Sequence, residues 1–79
     1  MSESITPDVT VDSRGATCPG PLMDLIGKIR SVDTGTVIEL LSDNDQSTVD
    51  VPEWAEESGN EVLGIEELDD HYAIYVRKA

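Results

Sequence analysis

The sequence predicts an α/β (α+β) two-layer sandwich, a four-stranded mixed sheet with two helices packed on one face. Three observations predict this fold. Apolar residues alternate from residue 9, recur at helical spacing from residue 22, and form a nearly continuous run after residue 36. Turn-forming residues separate these segments into the order β-α-β-α-β-β. Since a strand, a helix and a strand in series form a right-handed crossover, the first two strands should be parallel.

The first half of the chain is predicted to contain one strand and one amphipathic helix. The strand covers Val9–Val11 and ends in a turn at Asp12–Gly15. An apolar stripe then predicts a helix over residues 19–32, which ends at the turn Asp33–Gly35. The stripe consists of Leu22, Leu25, Ile26 and Ile29.

The second half is predicted to add a strand, a helix and a terminal hairpin. The helix is expected over Ser47–Ser58 with Pro52 in its first turn, where a missing N–H costs least. Its start could equally be set by a capping box at Asp50 or by Thr48. The strands are expected at Thr36–Ser42, Glu61–Leu68 and Tyr72–Arg77.

Three side chains outside the main motifs carry structural expectations. Trp54 on the second helix is expected in the core. His71 follows two aspartates in the hairpin turn, so we expect it to be solvated. Residues 1–8 are polar and include Pro7, which predicts a flexible lead-in before a single domain over residues 9–79.

Composition excludes several classes of function. The chain has 79 residues and a formal net charge of −12, from 17 Asp and Glu against five Lys and Arg. Folding at this size hides roughly 60% of the chain's surface, which leaves no room for a deep substrate cavity. Nucleic acid is bound by clustered cations, so we expect no direct nucleic-acid partner. Neither a long apolar run nor a secretion leader is evident, so we expect a cytoplasmic protein without a membrane partner.

The acidity is unevenly distributed along the chain. From Glu39 to Asp70 there are twelve acids and no Lys or Arg, whereas Asp12 to Arg30 has two acids against three cations. The end carrying the cysteine is therefore the one part whose local sequence is not anionic, and we expect an anionic sulfur and its partner protein to meet least repulsion there. The total charge suits a cytoplasm with molar salt, where a Debye length of about 3 Å suppresses self-repulsion. The alternative is an ordinary acidic domain.

Cys18 is the single cysteine, which limits its chemistry. It has no partner for an internal disulfide or a C-x-x-C dithiol. With the lone His71 it cannot supply the roughly four ligands of a zinc site, so we expect neither a metal nor a cofactor. Any chemistry at Cys18 is therefore performed alone or with a partner protein.

The sequence Cys18-Pro19-Gly20-Pro21 predicts a rigid helix start beside the thiol. With Cys18 as N-cap, the prolines remove the donors at the first and third helical positions. The N–H groups of Gly20 and Leu22 then remain to face a sulfur anion. Gly20 also relieves the clash that Pro21 would impose on a bulkier predecessor.

This placement predicts a reactive thiolate. A helix N-terminus lowers the pKa of a cysteine thiol, whereas the net negative charge raises it and Arg14 offsets that charge locally. We therefore expect a depressed pKa for Cys18 in high salt. The alternative interpretation is a small buried hydrophobic residue, which is the commoner role of a lone cysteine.

The segment Asp12–Pro21 resembles the Asp-x-x-Gly-x-x-Cys-Pro-x-Pro signature of the TusA (SirA-like) sulfur-carrier family. The likeness continues through Asp43–Asp45, Asp50–Trp54 and Gly59–Glu61. The resemblance implies a two-layer α/β sandwich and a cysteine that carries sulfane sulfur as a persulfide. That cysteine corresponds to Cys18, and the prolines that shape its helix start correspond to Pro19 and Pro21. Ala16 departs from the family, where a larger apolar residue is common.

The resemblance implies a sulfurtransferase-type carrier with two protein partners. The donor would be a cysteine desulfurase or a rhodanese-like protein, and the acceptor would serve tRNA thiolation, molybdenum-cofactor assembly or sulfur metabolism. We expect the carrier to act as a monomer. The alternative function is a non-catalytic regulatory or scaffolding interaction module in which Cys18 is structural or redox-sensing.

Overall fold

The computed structural model describes residues 6–16 and 20–79. The elements are β1 (Val9–Asp12), α1 (Gly20–Ile29), β2 (Val37–Ser42), α2 (Ser47–Ser58), β3 (Glu61–Glu67) and β4 (Tyr72–Arg77). The sheet order is β1-β2-β4-β3, with β1 parallel to β2 and the other pairs antiparallel. This confirms the predicted element order and the mixed sheet. Within the described residues, no helix is long and apolar enough to cross a membrane.

The core lies between the two helices and one face of the sheet. Alternate residues of β2 and β4 face the helices, because successive side chains on a strand point to opposite faces. The buried cluster consists of Leu25, Ile29, Ile38, Leu40, Val51, Ile74 and Val76. Trp54 is half-buried and packs against this cluster, which confirms its predicted place at the core. Each fully buried aliphatic side chain contributes about 1.5–3 kcal/mol to folding.

Helix α1 is shorter than predicted, since it ends at Ile29 rather than at residue 32. The hydroxyl of Ser31 donates to the carbonyl of Lys28 at 2.7 Å, and the Ser31 N–H donates to the same carbonyl at 2.9 Å. These bonds tighten the chain into a turn, because a serine hydroxyl competes with the hydrogen bonds that would continue a helix. Gly35, at φ +91°, then turns the chain into β2.

Helix α2 begins at Ser47, so its predicted range is confirmed, but the prediction that Pro52 lies in its first turn is wrong. Pro52 is the sixth helical residue, and it removes the N–H that would donate to the carbonyl of Thr48. The start at Ser47 follows from a tight turn before it, in which the Ser47 N–H donates to the Asn44 carbonyl at 3.1 Å. Neither Thr48 nor Asp50 is the first residue of the helix.

Asp8, the last residue of the predicted lead-in over residues 1–8, is hydrogen-bonded to the sheet. The Asp8 N–H donates to the Val37 carbonyl at 2.8 Å, and the Asp8 carboxylate accepts the Val37 N–H at 3.0 Å. Contact with the sheet therefore begins one residue before the predicted domain boundary. Residues 1–5 of the predicted lead-in lie outside the described residues.

The sheet face away from the helices has a polar ladder across three strands. Glu39 is the register partner of Thr10 on one side and of Tyr75 on the other. Its Oε1 accepts the Thr10 hydroxyl at 3.1 Å, and its Oε2 accepts the Tyr75 hydroxyl at 2.9 Å. Burial, followed by the hydrogen bond to Glu39, raises the pKa of Tyr75 to about 12. One carboxylate thus joins β1, β2 and β4 on this face.

Candidate functional site

The candidate site lies at the edge of the sheet where β1 and β2 end. Because β1 and β2 are parallel and β4 is antiparallel to β2, the loop after β1, the turn after β2 and the β3–β4 turn meet at this edge. Both helices also begin there. Thr17, Cys18 and Pro19 lie outside the described residues, so the predicted roles of Cys18 and Pro19 stay predictions.

Ser13 anchors the loop that leads to Cys18. Its N–H donates to the carbonyl of Leu41 at 2.8 Å, and its hydroxyl donates to Oδ2 of Asp24 at 2.6 Å. Ser13 itself is 3% exposed, whereas its partner Asp24 is exposed, so the side-chain bond between them is partly buried. The two bonds connect the loop to both β2 and α1. Sequence reasoning missed this anchor, because a serine in a turn gives no signal that it is buried.

Gly15 forms the turn that the sequence predicted and carries a second anchor. Its φ of +90° lies in the left-handed region that favours glycine. The N–H of Ala16 donates to the Ser13 carbonyl at 3.1 Å, which closes the turn. The N–H of Gly15 donates to Oδ2 of Asp43 at 2.8 Å. The loop after β1 is therefore fastened to the turn after β2.

Arg14 is paired within the loop itself. Its Nε and a terminal guanidinium nitrogen donate to the two carboxylate oxygens of Asp12 at 2.9 and 2.8 Å. These hydrogen bonds raise the pKa of Arg14 and lower the pKa of Asp12 to about 2. The Arg14 guanidinium, which was expected to offset negative charge near Cys18, is thus bonded to the Asp12 carboxylate. Its effect on the Cys18 thiol stays a prediction.

The start of α1 joins the site to the core. Gly20 is the first helical residue, Pro21 is fully buried, and Leu22 is half-buried against the core cluster. A Cβ added to Gly20 would lie 3.2 Å from the Cβ of Ala16. Sequence reasoning gave Pro21 only a backbone role, whereas its ring also fills the interior. A shift of this helix start would therefore disturb core packing.

Acids from the second half of the chain also lie at this edge, although the local sequence around the cysteine is not anionic. Asp43, from the acidic half of the chain, binds Gly15. After the dominant hydrogen bonds to Asp12, the charges of Asp70 and Asp43 also raise the pKa of Arg14. Folding therefore brings acids of the second half to the loop after β1.

The β3–β4 turn contributes an acidic depression at the same edge. The Nδ1–H of His71 donates to Oδ1 of Asp70 at 2.6 Å, and this bond lowers the pKa of the Asp70 carboxyl. The His71 side chain is only 15% exposed, so the expectation that it is solvated is wrong. A cavity of about 220 Å³ is lined by Asp43, Glu67, Leu68, Asp69, Asp70, His71 and Tyr72. Across residues 6–16 and 20–79, no group of three His, Cys, Asp or Glu is placed to hold a metal ion.

Comparison with known proteins identifies the family. A family model described as "Sulfurtransferase TusA" matches residues 9–78, so the chain belongs to the TusA family. An Archaeoglobus fulgidus protein named "Putative sulfur carrier protein" is 41% identical over 70 residues, which cover 89% of this chain and 96% of that protein. "Sulfur carrier protein TusA" of Pseudomonas entomophila is 31% identical over 71 residues, covering 90% and 89% of the two chains.

A solved structure agrees with the family assignment. The crystal structure of a SirA-like protein from Desulfitobacterium hafniense matches with a TM-score of 0.73 and 26% sequence identity. The match covers 87% of this chain and 95% of that one. The resemblance to the TusA (SirA-like) family and the predicted fold class are both confirmed.

Proposed function

We propose that this chain is a sulfur carrier that holds sulfane sulfur as a persulfide on Cys18. Membership of the TusA family supports a sulfur-carrier role, and the motif assigns the sulfur to Cys18. The observation that carries the proposal is the start of α1 at Gly20, two residues after the cysteine. A helix N-terminus stabilises an adjacent anion, and the thiolate is the form of cysteine that attacks sulfur.

The proposed reaction is two successive exchanges at sulfur. The Cys18 thiolate attacks the terminal sulfur of a donor persulfide, R–S–SH, and the donor S–S bond breaks as the new one forms. The products are Cys18–S–SH and the donor thiolate, with no net oxidation. An acceptor thiolate then attacks the terminal sulfur of Cys18–S–SH and releases the Cys18 thiolate. Neither exchange uses a metal or a deep substrate pocket.

The described loop and helix support this chemistry by holding the residues on both sides of Cys18. Ser13 and Gly15 are fastened to β2, α1 and the turn after β2, and Pro21 is fixed in the core. Flanking segments that are already held lower the entropic cost of presenting a group to a partner, which is the benefit of preorganisation. Arg14, paired with Asp12, is proposed to offset part of the surrounding negative charge.

The proposed partners are a sulfur-donor protein and a sulfur-acceptor protein. A cysteine desulfurase or a rhodanese-like protein would be the donor, and a protein of tRNA thiolation, molybdenum-cofactor assembly or sulfur metabolism the acceptor. The carrier is proposed to act as a monomer over residues 9–79, a range that carries most of the charged residues behind the net charge of −12. The same charge favours a high-salt cytoplasm as its setting.

Loading with inorganic polysulfide in multimolar salt, followed by intact-mass measurement, tests the proposal. We expect one added sulfur atom per chain that disappears on reduction, and no addition to the Cys18→Ser variant. A folded wild-type chain with a free thiol that gains no sulfur would contradict the proposal. Labelling by iodoacetamide only after unfolding would instead favour the interaction module, since a carrier thiol must be accessible.

A further inference from the structure

We propose that Asp43 is a positioning residue for Cys18, acting through its hydrogen bond to the backbone of Gly15. The inference rests on the proposed role of Cys18 in sulfur transfer. Asp43 directly follows β2, and 28 residues separate it from Gly15 along the chain. Its Oδ2 accepts the Gly15 N–H at 2.8 Å, a charge-assisted bond between two separate loops.

The loop after β1 has two anchors of different kinds. Ser13 is buried and bonded to β2 and α1, so it is fixed by the body of the fold. Gly15 is exposed, and the Asp43 carboxylate reaches it from the turn after β2. Three peptide units separate Gly15 from Cys18. Asp43 therefore holds the anchor that lies closer to the cysteine along the chain.

The conformation of Gly15 explains why this anchor matters. At φ +90° the residue occupies a region that glycine enters freely, and a free glycine samples the other regions about as readily. The bond from the Ala16 N–H to the Ser13 carbonyl closes the turn, and the Asp43 bond adds a restraint on Gly15 from another element. Because the Asp43 bond is exposed, its contribution to global stability is modest, and its loss loosens the loop more than the fold. A looser loop would present the segment after Ala16 less uniformly, and the proposal is that the reactivity of Cys18 falls with it.

The Asp43 carboxylate has two opposite effects on Cys18, and paired variants separate them. Its negative charge disfavours a nearby thiolate, whereas its hydrogen bond holds the loop that presents the thiol. Asp43→Asn removes the charge and keeps an oxygen acceptor of the same shape. Asp43→Ala and Asp43→Ser remove the charge and leave a side chain that is too short to accept the Gly15 N–H. Asp45→Asn is the matched control, since Asp45 is an exposed acid of the same turn without this bond.

The test measures the alkylation rate of Cys18 by iodoacetamide over a pH series in multimolar salt, with amide hydrogen exchange at Gly15. We expect Asp43→Ala and Asp43→Ser to have about fivefold less thiolate at neutral pH than Asp43→Asn, and faster exchange at Gly15. Asp43→Asn and Asp45→Asn should match each other. If the truncated variants titrate like Asp43→Asn, Asp43 acts through charge alone and the inference is wrong.

The result is separable from the sulfur-carrier proposal. Alkylation by a neutral reagent requires no sulfur donor, so the Asp43 comparison can succeed in a protein that takes up no sulfur. That outcome would overturn the proposed function and leave the positioning role standing. Equal thiol titration in all Asp43 variants of a protein that does take up sulfur would overturn the positioning role alone. If Asp43→Ala does not fold, Asp43→Ser provides the same comparison.

Discussion

The Cβ of Ala16 faces the bare Cα of Gly20 so closely that a Cβ on Gly20 would lie only 3.2 Å from it. Ala16 ends the described part of the loop and Gly20 begins α1, so the two sides of the Cys18 segment meet at this contact. A Cβ on Gly20 would fit only if Ala16 moved by a few tenths of an ångström. Gly20 therefore serves a packing purpose beyond the steric relief of Pro21.

This contact predicts a coupled pair of substitutions. Gly20→Ala should lower the free energy of unfolding by about 1 kcal/mol, because crowding against Ala16 and the restriction before Pro21 outweigh the helix preference of alanine. In an Ala16→Gly background the same substitution should cost less, because the crowding is removed. Chemical denaturation of the four proteins in multimolar salt measures this double-mutant cycle. Additive effects would show that the two positions do not press on each other.

The Asp12–Arg14 pair is predicted to stabilise the folded protein at neutral pH and to lose this effect in acid. Bonding to Arg14 lowers the pKa of Asp12 from 3.8 to about 2. A lowered folded-state pKa stabilises the fold above pH 3.8, and this stabilisation is lost as the pH falls through about 2. NMR titration of the Asp12 carboxyl carbon should give a midpoint near 2, which Arg14→Gln returns towards 3.8. An unchanged midpoint in Arg14→Gln would refute the pairing.

The polar ladder predicts an alkaline transition. The pKa of Tyr75 is raised from 10.0 to about 12, so its neutral form is favoured in the folded state. The resulting stabilisation is present below pH 10 and is lost as the pH rises towards 12. Phenolate absorbance in a Tyr72→Phe background reports Tyr75 alone. Glu39→Gln should lower the midpoint, and a Tyr75 that ionises near 10 with Glu39 intact would contradict the ladder.

Substitution by alanine is expected to change the stability of the protein in opposite directions at Gly27 and at Gly35. Gly27 lies inside α1 beside an open groove of about 430 Å³, and a Cβ there meets nothing within 4 Å. Gly27→Ala should therefore stabilise the protein by about 0.5–1 kcal/mol. Gly35 is equally uncrowded but has φ +91°, so Gly35→Ala should destabilise it by about 1–2 kcal/mol. Thermal or denaturant unfolding measures the change in stability of each variant. Changes of the same sign would show that the positive φ of Gly35 does not decide its response.

The element order was predictable from the sequence because each element depends on local periodicity and turn residues. The errors were the C-terminal end of α1 and the place of Pro52 within α2, whose range was predicted correctly. The Ser31 hydroxyl binds the Lys28 carbonyl and stops α1 early, and the tight turn at Asn44 starts α2 a full turn before Pro52. Neither of these hydrogen bonds can be predicted from the spacing of apolar residues.

The candidate site was predictable only in its linear part. The motif located Cys18 and its prolines because those residues are contiguous. The anchors Asp24 and Asp43 lie 11 and 28 residues from their partners, so only the fold brings them to the loop. The same folding brings Asp43 and Asp70 towards Arg14, which a count of charges along the chain could not reveal.

The bonds of Glu39 have a consequence for how the strands find their partners. A slip of one residue in β1 or β4 would turn Thr10 or Tyr75 to the opposite face of the sheet. Glu39 would then lose a hydroxyl donor, and a polar group would enter the core beneath the helices. The carboxylate therefore penalises misaligned strands during folding. Cross-strand pairs of large side chains help to specify strand register in other sheets. This chain has only three aromatic residues, and the hydrogen bonds of Glu39 supply part of that specificity.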